Sequence, residues 1–212
     1  MQYEVAKREY TGYQREWTCY SVLKDMFVYN NNVELLSALL KDYQSWTPPT
    51  SPFVKKLLEL TKDNDLALLS DASLNDELMT SDAKPAKLFD IVQRHKGQVV
   101  YVDFWASWCK PCIGEMPASL TLRDAYRGQK LAVVYVSIDA DQDRWVRAAT
   151  TFLANTSESY RLPDEKQSAL VKRLQIKSIP RYLLIDKNGV LRYSNAPPPS
   201  ATSLRKLVDS LL

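Results

Sequence analysis

The chain has 212 residues, 45% of them hydrophobic and 25% charged, which is the make-up of a globular protein with one large domain or one ordinary domain plus an extension. Its 28 basic and 25 acidic residues leave a net charge of +3 and no basic cluster, so nucleic acid is not an expected partner. Three cysteines are too few for a disulfide-stapled scaffold, and no apolar run approaches the roughly 18 residues of a membrane span.

Residues 1 to 80 show no strand-like alternation and read as a helical region. Tyr3, Tyr10 and Trp17 recur at heptad spacing, as do Tyr13, Tyr20 and Phe27, which predicts one helix from about 2 to 29. Both aromatic rows suit a helix packed on its neighbours better than a ligand-binding face. Cys19 reads as a bystander, either a small buried apolar residue or an exposed thiol. The N-terminal stretch has no apolar core, so it is not a secretory signal. Leu36, Leu39, Leu40 and Tyr43 mark a second helix. Pro48, Pro49 and Pro52 break the chain, and Ser51 is placed to cap a third helix that starts at Pro52 and continues through Phe53, Leu57 and Leu60. A short fourth helix is expected over Asp71 to Thr80.

Residues 81 to 212 change rhythm. A helix is predicted over "AKLFDIVQRHKG", then a strand buried on both faces over "QVVYVDFWA". A helix over "KPCIGEMPASLTLRDAYRG" follows, then a second buried strand, "KLAVVYVSID". Helices are expected over "DQDRWVRAATTFLAN" and, from Pro163 or Asp164, over "PDEKQSALVKRLQI". "RYLLID" and "VLRY" flank "KNG" as a hairpin, and a capped helix ends the chain. The order α-β-α-β-α-α-β-β-α predicts an α/β domain, a mixed central sheet with helices on both faces.

Cys109 and Cys112 stand three apart between a buried strand and a helix. A structural zinc site needs four ligands. Only Cys19 and His95 remain to supply them, and His95 reads as a solvated residue at a polar helix end, so no metal is expected. A static disulfide across so small a loop gains little entropy. Redox chemistry suits the setting better. The free N–H groups and dipole at a helix start favour an anion, which lowers the Cys109 thiol pKa and supplies the thiolate that attacks a disulfide. Cys112, one turn further in, is placed to resolve the mixed disulfide. Lys110 adds a cation, Pro111 suits the first helical turn, and Trp105 and Trp108 can wall the site. Asp103 lies inside the buried strand, where a lone carboxylate needs a reason. Burial raises its pKa, so it could take the proton of Cys112 as that thiol attacks; the plainer reading is a strand residue with hydrogen-bond partners.

"VDFWASWCKPC", with Pro117 five residues on, closely resembles the active-site signature of the thioredoxin superfamily. "KSIPRYLLIDKNG" resembles its second signature, in which the proline is cis and lies beside the disulfide. The resemblance covers residues 84 to 212. "CIGEMP", with Glu115 and Pro117, and the long segment between Asp139 and Ile179 look like the TlpA/ResA branch of extracytoplasmic thiol–disulfide oxidoreductases.

By that resemblance the fold is a thioredoxin fold after an all-helical extension, and Ile179–Pro180 is a cis bond. Cys109 is the nucleophile, Cys112 the resolver and Asp103 the family's buried acid. Trp108, Lys110, Pro111, Ile179 and Pro180 border the partner, whose backbone can pair with the Ile179–Pro180 edge. Glu115 either tunes the site or is a solvated helix carboxylate. Tyr135 replaces a lysine common at that position. The expected function is reduction of disulfides in partner proteins, recharged by an upstream electron donor and without a cofactor beyond the cysteine pair. An oxidase or isomerase at the same site is an alternative, toward which Lys110 would push slightly. A binding module that works through its helical region is a second. A peroxidase is disfavoured because Ala106 stands where a threonine is expected. The branch implies a periplasmic or cell-envelope setting. No leader or anchor is present in these residues, so either a leader is removed or the chain is an excised piece; a cytoplasmic setting is the alternative.

Overall fold

A computed structural model describes residues 2–29, 33–62, 76–128, 130–153 and 156–212. The chain divides into two compact units, Met1–Leu66 and Ala67–Leu212.

The first unit is helical: α1 (Gln2–Glu9), α2 (Gly12–Tyr29), α3 (Val33–Trp46) and α4 (Pro52–Lys62). The single helix expected over 2–29 is broken. Gly12 adopts a φ of +53°, a left-handed conformation that ends one helix and starts another. The break shifts the helical phase, so the aromatic rows do not form the buried face. Tyr3 and Tyr20 are buried, but Tyr13 is 72% and Trp17 50% exposed, and Cys19 and Leu23 fill the core instead. Leu36 and Tyr43 are buried, with Leu39 and Leu40 packed against them. Ser51 caps α4 as expected, its Oγ accepting from the N–H of Phe53 at 3.1 Å and of Val54 at 3.4 Å.

The second unit holds a seven-stranded sheet in the order β2-β1-β5-β4-β3-β6-β7. Its strands are β1 (Glu77–Met79), β2 (Pro85–Lys87), β3 (Val99–Trp105), β4 (Leu131–Ser137), β5 (Ser159–Arg161), β6 (Arg181–Ile185) and β7 (Leu191–Tyr193). Parallel pairing joins β3 to β4 and β4 to β5; β6 and β7 run antiparallel. All seven residues of β3 are buried, so both its faces are covered. The helices are α5 (Leu88–Arg94), α6 (Lys110–Ala125), α7 (Gln142–Phe152), α8 (Ala169–Arg173) and α9 (Thr202–Leu211).

Several local expectations differ. Glu77–Met79 forms an edge strand paired with Pro85–Lys87, where a helix was expected up to Thr80; the first part of that expected helix, 71–75, lies outside the described residues. Residues 86 and 87 belong to β2, so the helix there starts only at Leu88. The helix expected from Pro163 shrinks to Ala169–Arg173, because Ser168 caps it and Asp76 receives the Ala169 and Leu170 N–H groups at 3.1 and 3.0 Å. β5 precedes it unforeseen. The last helix has no side-chain cap at Ala201.

Candidate active site

The fold sets the cysteine pair at the C-terminal end of β3. The segment from Ala106 to Cys109 turns the chain from that strand into α6, and Cys109 is the residue that precedes the first helical turn. Its Sγ accepts the N–H of Cys112 at 3.2 Å, one of the donors that a helix start leaves free. Cys109 and Cys112 are joined as a disulfide, with Cα atoms 5.3 Å apart. Both cysteines are largely buried, at 5% and 1% exposure, while Trp108 beside them is 61% exposed. Lys110 and Pro111 are exposed on the first turn, and Pro117 lies inside α6.

The turn before Cys109 is fastened from below. The buried Asp139 carboxylate accepts the Ser107 N–H at 2.8 Å, the Ser107 hydroxyl at 2.6 Å and the Ser137 hydroxyl at 2.7 Å. Sequence reasoning missed this residue as part of the site. An aspartate two residues past a buried strand that ends in serine is the local pattern, but its pairing with Ser107 depends on strand register.

Strand β6 brings the second signature to the same end of the sheet. Phe104 pairs with Arg181, so one step on, Pro180 comes level with Trp105. The Ile179–Pro180 bond is cis, and both residues are half-buried. Arg181 fastens this stretch: its Nε donates to the Ser194 carbonyl at 2.7 Å and its guanidinium to the Leu174 carbonyl at 3.2 Å.

Asp103 sits two residues before the end of β3, 1% exposed. Neither carboxylate oxygen has a hydrogen-bond partner among the described residues, which answers the alternative of a well-partnered strand residue. Burial pushes its carboxyl well above the usual range, and the Glu115 carboxylate adds to the push. It shares a face with Tyr135 of β4 and Tyr182 of β6, its register partners on either side. The Tyr135 hydroxyl bonds Ser119 of α6 at 3.0 Å, which places α6 over this face, and burial pushes that phenol up to about 12. The inward side of α6 carries Cys112, Met116, Ser119 and Leu122, so Cys112 lies on the side of that helix which faces the sheet, as Asp103's neighbour Tyr135 meets Ser119 there.

Glu115 is neither free nor merely solvated. Its carboxylate accepts the Ser200 N–H at 3.0 Å and the Ser200 hydroxyl at 2.9 Å, tying α6 to the start of α9. His95 is also not a solvated residue. Its side chain is 19% exposed, with Nδ1 2.9 Å from Gln98 Oε1 and Nε2 3.3 Å from Glu158 Oε2. Among the described residues, no group of three or more His, Cys, Asp and Glu could hold a metal ion, and no helix is long and apolar enough to cross a membrane.

Comparison with known proteins agrees with this geometry. Residues 97–191 match the thioredoxin-like family model. The sporulation thiol-disulfide oxidoreductase A of Bacillus subtilis is 26% identical over 121 residues, covering 57% of this chain and 72% of that protein. The thiol-disulfide oxidoreductase ResA of Bacillus thuringiensis is 30% identical over 94 residues, 44% of this chain and 52% of ResA, so the chain spans about half of that relative's length. A crystal structure of a candidate thiol-disulfide oxidoreductase from Bacteroides vulgatus superposes with a TM-score of 0.57 at 33% identity, covering 65% of this chain and 92% of the other. With the bonded cysteine pair, the cis proline and the buried aspartate set at one end of the sheet, the chain belongs to the thioredoxin-like family, among its thiol–disulfide oxidoreductases.

Proposed function

We propose that this protein reduces disulfides of partner proteins through Cys109 and Cys112. The observation that carries the reading is the disulfide-bonded pair at the start of α6, with the Cys109 sulfur accepting the N–H of Cys112. In the reduced protein that N–H and the helix dipole stabilise a Cys109 thiolate. The thiolate attacks one sulfur of the partner disulfide; a Cys109–partner bond forms, and the other partner sulfur leaves as thiolate and takes up a proton. Cys112 then gives its proton to Asp103 and attacks the Cys109 sulfur. The partner's second sulfur departs with two electrons now residing on its pair of thiols, and the Cys109–Cys112 bond re-forms.

Trp108, Lys110, Pro111, Ile179 and Pro180 border the partner, whose backbone extends along the Ile179–Pro180 edge. Glu115 acts on the site from a distance, as a charge that raises the Asp103 pKa and so makes its carboxylate a stronger base toward the Cys112 thiol. No metal, flavin or nucleotide takes part, since the two sulfurs carry the electrons. An upstream dithiol donor returns the pair to the reduced state. The likeness to ResA-type sequences supports placement in the periplasm or cell envelope.

Turnover of insulin disulfides with dithiothreitol as donor tests the activity: the wild type should reduce insulin and Cys109→Ser should not. Equal rates would favour a binding module. The potential of the pair tests the direction. A value below about −200 mV supports a reductase, and one near about −120 mV supports an oxidase.

A further inference from the structure

Three tyrosines surround Asp103, and their hydroxyls differ. Tyr101 lies two residues before it on the same face of β3 and donates to the Pro197 carbonyl at 2.8 Å. Tyr135 on β4 is bonded to Ser119 at 3.0 Å. Tyr182 on β6 is the direct register partner of Asp103, is 4% exposed, and its hydroxyl has no partner among the described residues. The Asp103 oxygens are unpartnered as well. The Tyr182 ring is held in place, stacked on Tyr101 with centroids 5.4 Å apart and planes 13° from parallel.

Register partners that each bury an unserved polar group, one a hydroxyl and one a carboxyl, carry a cost that a bound water reaching both would remove. We propose that Tyr182 is a positioning residue for the exchange reaction: its hydroxyl donates, through one bound water, to the Asp103 carboxylate and sets the pH at which that carboxylate takes the Cys112 proton. This rests on the reading of Asp103 as the proton acceptor in the resolving step.

The groups facing Asp103 are Tyr101 on its own strand, Tyr135 on β4, Tyr182 on β6, and Cys112 and Glu115 on α6. Glu115 and burial both favour the protonated acid. Tyr182 is the neighbour whose hydroxyl is free to oppose them by stabilising the charged form. In the step itself, the proton moves from Cys112 Sγ to Asp103; Cys112 attacks Cys109, and the bond from Cys109 to the partner breaks. Tyr182 keeps its proton throughout and acts through the carboxylate.

Reduced protein mixed with dithiobis(nitrobenzoate) separates the steps. Attack by Cys109 releases one thionitrobenzoate, and resolution by Cys112 releases the second. The rate of the second release should rise with pH along a limb that Asp103→Asn abolishes. In Tyr182→Phe the limb should move up by about one pH unit, a tenfold slower release at pH values below it, with the rate above the limb restored. Tyr101→Phe, whose hydroxyl is already engaged, should leave the limb in place. Exchanging Tyr182 for 3-fluorotyrosine keeps the shape and strengthens the donor, so it should move the limb down even if Tyr182→Phe fails to fold. An unmoved limb in the fluorinated protein, or a uniform slowing at every pH in Tyr182→Phe, overturns the proposal. If Asp103→Asn itself leaves the limb intact, the underlying reading of Asp103 fails instead.

Discussion

In the helical unit Asp42 is surrounded by donors: Tyr3 at 2.8 Å, Lys7 at 2.7 Å and the Trp46 indole at 3.4 Å. In the sheet unit Asp103 lies among three tyrosines and receives nothing from the described residues. Burial raises both carboxyls, but at Asp42 the bonds from Lys7, Tyr3 and Trp46 outweigh it and hold the group below the usual range. The cysteines differ between the units as well, for another reason. Cys19 is wholly buried in the helical core, and burial pushes its thiol up to about 11. Cys109 sits at a helix start with an N–H aimed at its sulfur. The same residue types thus make a settled core in one unit and a reactive site in the other. For the carboxyls the difference is whether their oxygens are served; for the thiols it is whether a helix start favours the anion.

The largest effect should break the comparison at the cysteines. Cys109→Ser should lower insulin reduction by about three orders of magnitude or more, while Cys19→Ala leaves it within a factor of about two. Next comes Asp103→Asn, which should slow the resolving step by about a hundredfold and spare the first attack. Equal slowing of both would remove the proton-transfer role.

Stability against pH should then show opposite signs for the two aspartates. Asp103 has its folded pKa raised, so it binds its proton more tightly when folded. Its contribution is full below the ordinary 3.8 and is lost as pH rises through the folded value. Asp103→Asn should therefore gain stability over wild type as pH rises from 4, followed by urea titration. Asp42 has its folded pKa lowered, so its contribution holds above 3.8 and disappears as pH falls through the folded value. Its side chain is 36% exposed, so solvent screens the pair, and Asp42→Asn should cost only about 1 kcal/mol near neutral pH.

The smallest effect belongs to His95. The contact of its Nε2 with the accepting Glu158 carboxylate outweighs burial and raises the imidazole above 6.5, while the same contact lowers Glu158 below 4.5. The pair stabilises most between those values. It weakens above them as the imidazole loses its proton and below them as the carboxyl gains one. His95→Gln should cost about 0.5 kcal/mol at pH 6 and less at pH 9.

The centre of the sheet was legible because β3 and β4 are buried almost throughout and read as nearly continuous apolar runs, Asp103 being the interruption in β3. The hairpin of β6 and β7 was legible through "KNG", where Gly189 takes a φ of +84°. Cys109, Cys112, Asp103 and Pro180 could be picked out because their setting repeats two family signatures. The edge was not legible. β1, β2 and β5 have three residues each, too short to show a period, and they exist because neighbouring strands offer them hydrogen bonds. The break at Gly12 was overlooked because heptad spacing runs across it. Tyr182 and Asp139 join the site only through strand register and loop closure, which a linear reading does not contain.

The grip of Asp139 on Ser107 bears on what a partner protein meets. With both the amide and the hydroxyl of Ser107 anchored to the end of the neighbouring strand, the backbone leading to Trp108 is secured by groups that take no part in electron transfer. On the proposed reading, the stretch that carries Trp108 toward a client is thus held by bonds that pass through neither sulfur, so its anchorage is separate from the bond that is exchanged.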